Sequence, residues 1–155
     1  MHPYAPAVGY VFNSLLGRLV GYRLYSVEFV LDYVQLQFDV FPTADMPMLT
    51  CEVNPTVIAS GRTITPSGQG WADALVALVG QDVTATHEAV GTGISIELET
   101  GTIRLHPSSD ELVGPEIATL NGFTDGQWMC WRPTEEAFEY LDVDAGSAVG
   151  DPGRQ

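Results

Sequence analysis

The side chains best suited to chemistry in this chain are two histidines and a glutamate: His87, Glu88 and His106. Two imidazoles and a carboxylate are a ligand set for zinc or iron, provided the fold brings them to one point. His87-Glu88 also matches the first half of a zinc-protease helix motif. That motif needs a second histidine at position 91, where this chain has glycine. His106 stands before Pro107 just as Asn54 stands before Pro55, which favours a polar residue closing a strand over a metal ligand. The metal reading is therefore the weaker one. Nucleophilic catalysis has less support still. No Gly-x-Ser-x-Gly elbow is present, and neither Cys51 nor Cys130 has a histidine close in sequence. Cys51 alternates with Leu49 and Val53, the pattern of a buried strand face, so both cysteines read as free thiols of a reducing compartment. Gly68-x-Gly70 and Gly91-x-Gly93 are turns, not pieces of a dinucleotide fingerprint. No catalytic residue and no cofactor is expected.

Charge narrows the field further. Twenty acids stand against six bases, for a net charge of −14, and all six bases are arginine. Without lysine the chain can run neither P-loop phosphate binding, nor kinase phosphoryl transfer, nor Schiff-base catalysis. Nucleic acid is excluded as a partner by the scatter of Arg18, Arg23, Arg62, Arg104, Arg132 and Arg154, because backbone binding needs clustered cations. A negative field of this size steers basic proteins instead. No cationic leader and no membrane-length apolar run appears, which places the expected location in the cytoplasm.

The acids concentrate near the carboxyl end. Ten of the twenty lie between Asp110 and Asp151, interleaved with Phe123, Trp128, Trp131, Phe138 and Tyr140. Aromatic anchors among acids make a surface for a basic protein. Trp128, Trp131, Glu135, Glu136 and Glu139 are the expected partner-binding residues.

The elements that position these residues are written twice. The segment around Gly17 is echoed around Gly80, the alternating run from Val34 returns from Ile94, and Asn54-Pro55 returns as His106-Pro107, at offsets of 63, 60 and 52. Shrinking offsets with constant order indicate duplication with loop loss. Each copy is expected to open with a helix, over residues 8–16 and 71–79, ended by Gly17 and Gly80. Three strands then follow: 20–30, 33–39 and 49–54 in the first copy, 82–87, 93–99 and 102–106 in the second. A seventh strand over 127–132 and a helix from Pro133-Thr134 close the chain. The expected fold is α+β: two helix-plus-three-strand repeats related by a pseudo-twofold axis, then an extra strand and a C-terminal helix. It forms one domain over residues 1–145, with repeat one at about 7–59, repeat two at about 70–107, a closing segment at 108–145 and a disordered tail at 146–155.

Leu78-x-Gly80-x-x-Val83, Glu97-Leu98 before Gly101-Thr102, Pro107 with Asp110-Glu111, then Trp128 and Pro133 together resemble a family of small uncharacterised actinobacterial proteins. The likeness covers roughly the second half of the chain. It departs at Pro133-Thr134-Glu135, where those relatives continue Pro-Gly-Gly. It implies a duplicated β-meander and, since that family has no established activity, no functional residue.

The functional expectation is a non-enzymatic protein-binding module, of immunity or adaptor type, with an acidic-aromatic surface for a basic partner. The alternative is an enzyme or a small-ligand or metal-binding protein with a pocket between the repeats near His87 and His106. A homodimer through exposed strand edges is a third reading.

Overall fold

Alternation of apolar and polar side chains, more than helix periodicity, decides how this chain folds. In the computed structural model, which describes residues 10–141, ten strands carry the architecture: β1 (Arg23–Val30), β2 (Tyr33–Asp39), β3 (Met48–Cys51), β4 (Thr56–Ala59), β5 (Arg62–Ile64), β6 (Val83–Ala89), β7 (Gly93–Leu98), β8 (Gly101–Leu105), β9 (Ala118–Asn121) and β10 (Met129–Trp131). The one α-helix among the described residues is α1 (Trp71–Val76). The strands form two antiparallel sheets of five, ordered β1-β2-β3-β9-β10 and β5-β4-β8-β7-β6. The expected α+β class is thereby corrected to mostly β, and the helix-plus-strand repeat is replaced by a different unit.

That unit is a three-stranded meander followed by a hairpin that crosses to the other sheet. β1-β2-β3 builds the first sheet, and β4-β5 then leaves it to pair with β8. β6-β7-β8 builds the second, and β9-β10 returns to pair with β3. Each sheet therefore contains strands from both halves. Registers correspond: Val34 faces Cys51 and Leu36 faces Leu49, as Ile94 faces Leu105 and Ile96 faces Ile103. The starts of β1 and β6 hook together. Gly21 N–H donates to Val83 C=O at 2.9 Å, and Leu24 N–H donates to Gln81 C=O at 2.9 Å. Gly21 and Gly80 both need positive φ at this crossing, +92° and +96°. Gly21, not Gly17, is thus the structural counterpart of Gly80.

The missing helices have local causes. Residues 12–19 form turns and a 3₁₀ turn (Leu16–Leu19), because Asn13 sits at φ +66° and spends its side chain on Thr86 of β6. At the other end Thr134 and Glu136 take φ +71° and +51°, which breaks the expected helix into a single 3₁₀ turn (Glu136–Phe138). That turn is held by packing: Ala137 and Phe138 are wholly buried in the core. One cluster of buried side chains joins both sheets, with Trp131, Phe38 and Phe138 the largest fully enclosed members. The expected tail at 146–155 lies outside the described residues. No helix of the described residues is long and apolar enough to cross a membrane.

Candidate functional site

His87 and Glu88 are neighbours in a strand, so their side chains leave on opposite faces. His87 is exposed on the outside of the second sheet, where its Nε2 meets Glu97 Oε2 across the β6–β7 ladder at 2.9 Å. His106 stacks on Tyr140 at 4.7 Å and directs Nε2 to the Gly91 carbonyl at 3.1 Å. Glu88 turns inward. The structure does not bring the three together, and among the described residues no group of three histidines, cysteines or acids is placed to hold a metal ion.

An open cleft of about 380 Å³ is lined by His106, Ser108 and Tyr140 with Glu111 and Leu141. Of its two serines, Ser108 donates its hydroxyl to Asp110 Oδ1 at 2.6 Å, and neither serine is hydrogen-bonded to His106, whose Nε2 is taken by the Gly91 carbonyl. A second cleft, of about 420 Å³, lies at the β1–β6 hook. There Arg23 forks onto Asp39, Nε to Oδ1 at 3.0 Å and an Nη to Oδ2 at 2.7 Å, so its charge is already matched. Cys51 and Cys130 are free and buried, and burial pushes the Cys51 thiol up to about 12, which leaves it protonated and inert at neutral pH.

The acidic-aromatic set is divided by the fold. Trp131 has no exposed area; it is a core residue, so its place in a binding surface is corrected. Trp128 is 39% exposed and Glu139 is exposed, whereas Glu135 and Glu136 are half-buried.

Trp131 instead completes a buried polar hub around Glu88, which is only 7% exposed. Glu88 Oε2 accepts from the Tyr10 hydroxyl at 2.5 Å and from Trp131 Nε1 at 2.9 Å; Oε1 accepts from Asn13 N–H at 2.7 Å. Three donors replace the water the carboxylate gave up, each worth about 1.5–3 kcal/mol to a charged acceptor. Burial and this carboxylate hold the Tyr10 hydroxyl firmly protonated. Glu136 lies near enough to feel Glu88. Burial, then the negative charges of Glu135, Glu88 and Glu139, raise its carboxyl above the ordinary range, and its Oε1 is buried with no hydrogen-bond partner. The hub ties the start of the described chain to β6 and β10, which is a structural task.

A different surface emerges at the free end of β1. Leu31 opens the two-residue turn from β1 to β2 at φ +46° and is fully exposed. Hairpin turns reserve such positions for glycine or asparagine, because a branched side chain there meets its own backbone. Phe29, 46% exposed, contacts Trp71 of α1 edge-to-face at 5.8 Å, and Val76 stands out from the same helix. Glu28, on the opposite face of β1 from Phe29, is exposed, as are Asp32 and Asp73, and residues 24–61 contain no base. Sequence reasoning ended the strand at Val30 and resumed it at Tyr33, so it left room for the turn, but it missed this face because nothing in the run Phe29-Val30-Leu31 marks the leucine as left-handed and exposed. Comparisons with family models, with curated proteins and with solved structures find no match to the chain.

Proposed function

We propose that the protein is a non-enzymatic, cytoplasmic binding module that captures a basic protein, and that it does so through the β1 tip and α1. The observation that carries this reading is Leu31. Its backbone is strained and its side chain gains nothing from the fold, so neither local preference nor core packing accounts for a leucine there. Strain of this sort concentrates at functional sites. Near it stand the exposed apolar side chains of Phe29 on β1 and Val76 on α1, the Phe29–Trp71 ring contact, and the exposed acids Glu28, Asp32 and Asp73. A net charge of −14 adds long-range steering toward a basic surface. The buried free thiols fit a reducing compartment.

The test compares two faces in one experiment. Tagged wild type, a Leu31→Ser/Val76→Ser variant, and a Glu135→Lys/Glu139→Lys variant are used to capture proteins from lysate of the cells that encode the chain. A basic protein retained by wild type and by the lysine variant, but lost by the serine variant and by high salt, supports the reading. Retention by all three, or loss only with the lysine variant, refutes the β1 tip as the docking face.

A further inference from the structure

The two sheets present counterpart edge strands, β1 and β6, and along their central residues only β6 has another segment bonded to its outward backbone. Their registers correspond: Val27 faces Leu36 and Phe29 faces Val34, as Thr86 faces Ile96 and Glu88 faces Ile94. At β6 residues 13–19 lie along the outward side. The Thr86 carbonyl accepts from Asn13 Nδ2 at 3.3 Å, the Glu88 carboxylate takes the Asn13 N–H and the Tyr10 hydroxyl, and the 3₁₀ turn at Leu16–Leu19 packs alongside. At β1 the hydrogen bonds from the Gly80–Gln81 segment stop at Leu24, which receives Gly80 N–H at 2.8 Å and gives its own N–H to Gln81. Beyond the bulge that follows Leu24, alternation turns the N–H and C=O of Val27 and Phe29 outward, and no backbone bond meets them among the described residues. Helix α1 approaches this edge through apolar contact only, the ring of Trp71 on Phe29.

The remaining edges are poor templates. β5 and β10 are three residues each, whereas β1 has eight. Natural sheets blunt an exposed edge with lysine, proline or shortness. β1 carries no proline, and past its bulge its one charged residue is Glu28, which repels an acidic strand and not a basic one.

We infer that the basic partner binds by adding a strand to this edge. An extended segment alternating basic and apolar side chains fits. On one face its bases lie beside Glu28 and Asp32; on the other its apolar groups lie against Phe29 and Trp71. The backbone groups of Val27 and Phe29 supply the ladder. Charge selects the occupant, since a second copy of this chain would bring another −14 to the same edge. This inference rests on the protein-binding reading above and adds its mode.

The probe is a fluorescent heptapeptide of alternating arginine and valine, together with two versions N-methylated at every arginine or at every valine. Methylation removes donors from one side of an extended strand. Strand addition therefore predicts that one methylated version binds at least about tenfold more weakly while the other stays within about twofold of the parent. Amide exchange at Val27 and Phe29 should slow on binding of the parent peptide. Equal effects of both methylations, protection elsewhere, no binding of the parent, or a doubled mass of the protein with Val27 already protected each overturn strand addition. If the Leu31→Ser/Val76→Ser variant loses its captured protein while the methylation pattern is absent, the docking face stands and its strand mode falls. If capture is indifferent to that variant as well, both fall.

Discussion

Leu31→Asn should raise stability and lower binding together, an outcome that a purely structural residue does not give. The stability side follows from the backbone. Leucine in the left-handed region costs roughly 1–2 kcal/mol, and asparagine recovers part of that because its short polar side chain tolerates the conformation. Nothing is lost in the free protein, since Leu31 is fully exposed and buries no area. The net gain expected is about 0.5–1 kcal/mol, which for a chain of this size raises Tm by about 1–4 °C. The binding side follows from transfer. Covering a leucine side chain in an interface is worth about 1.5–3 kcal/mol, so its removal weakens partner affinity by roughly 10- to 100-fold. Urea denaturation measures the first quantity. Titration of the captured partner, or of the arginine-valine peptide, measures the second. A stability loss would show that Leu31 packs in solution; unchanged affinity would show that its exposure serves no contact. Either result refutes the reasoning.

The buried hub yields three further expectations. Glu88→Ala leaves the donors of Tyr10, Asn13 and Trp131 without an acceptor and should cost about 3–5 kcal/mol in urea titration, with the Trp131 indole N–H resonance moving upfield. Glu88→Gln keeps one acceptor oxygen and should fall between that variant and wild type, about 2 kcal/mol down; equal losses for the two would mean the charge-assisted bonds are not made. Glu136 titrates with the opposite sign to an ordinary paired acid. Its carboxyl is raised above 4.5 in the folded state, so the stability it contributes is present below that pH and lost as pH rises through the folded value. Glu136→Gln should therefore stabilise at pH 7 and not at pH 4, by less than about 1 kcal/mol because the side chain keeps some contact with water; a gain that is equal at both pH values would contradict the assignment.

Sheet faces were legible in the sequence because they depend on adjacent residues. Val34, Leu36 and Phe38 are buried while Gln35, Gln37 and Asp39 are not, and Ile94, Ile96 and Leu98 repeat this against Ser95 and Glu97. The strands β4, β5 and β9 escaped the sequence reading, although Ser60-Gly61, at φ +53° and +74°, is a hairpin signal that marks the β4–β5 turn. Helix periodicity misled at both ends for one reason. Residues 8–16 and 134–141 are spaced like amphipathic helices, yet Leu15 and Leu16, like Ala137, Phe138 and Leu141, are drawn to the core by contacts far away in sequence, and Asn13, Thr134 and Glu136 give the backbone a tighter path. The Glu88 hub was invisible on the same grounds. Its donors lie 78, 75 and 43 residues away, and an Asn, a Tyr and a Trp carry no mark of their shared acceptor.

What divides the two halves is chemistry at matched positions. Where β6 has Thr86 and Glu88, β1 has Val27 and Phe29. The polar pair recruits Asn13 and Tyr10 as a permanent cover; the apolar pair recruits a single indole and leaves a leucine in water. Both sheets share one strand order, so the difference cannot come from topology. It comes from what each edge can hold. A carboxylate buried on the inner face of a strand needs donors at fixed positions, which the chain supplies from Tyr10, Asn13 and Trp131, and this lays residues 10–19 along that edge. Valine and phenylalanine make no such demand. They leave the ladder groups beside them unpaired in water, where they cost little, ready for a segment that brings donors, acceptors and positive charge together.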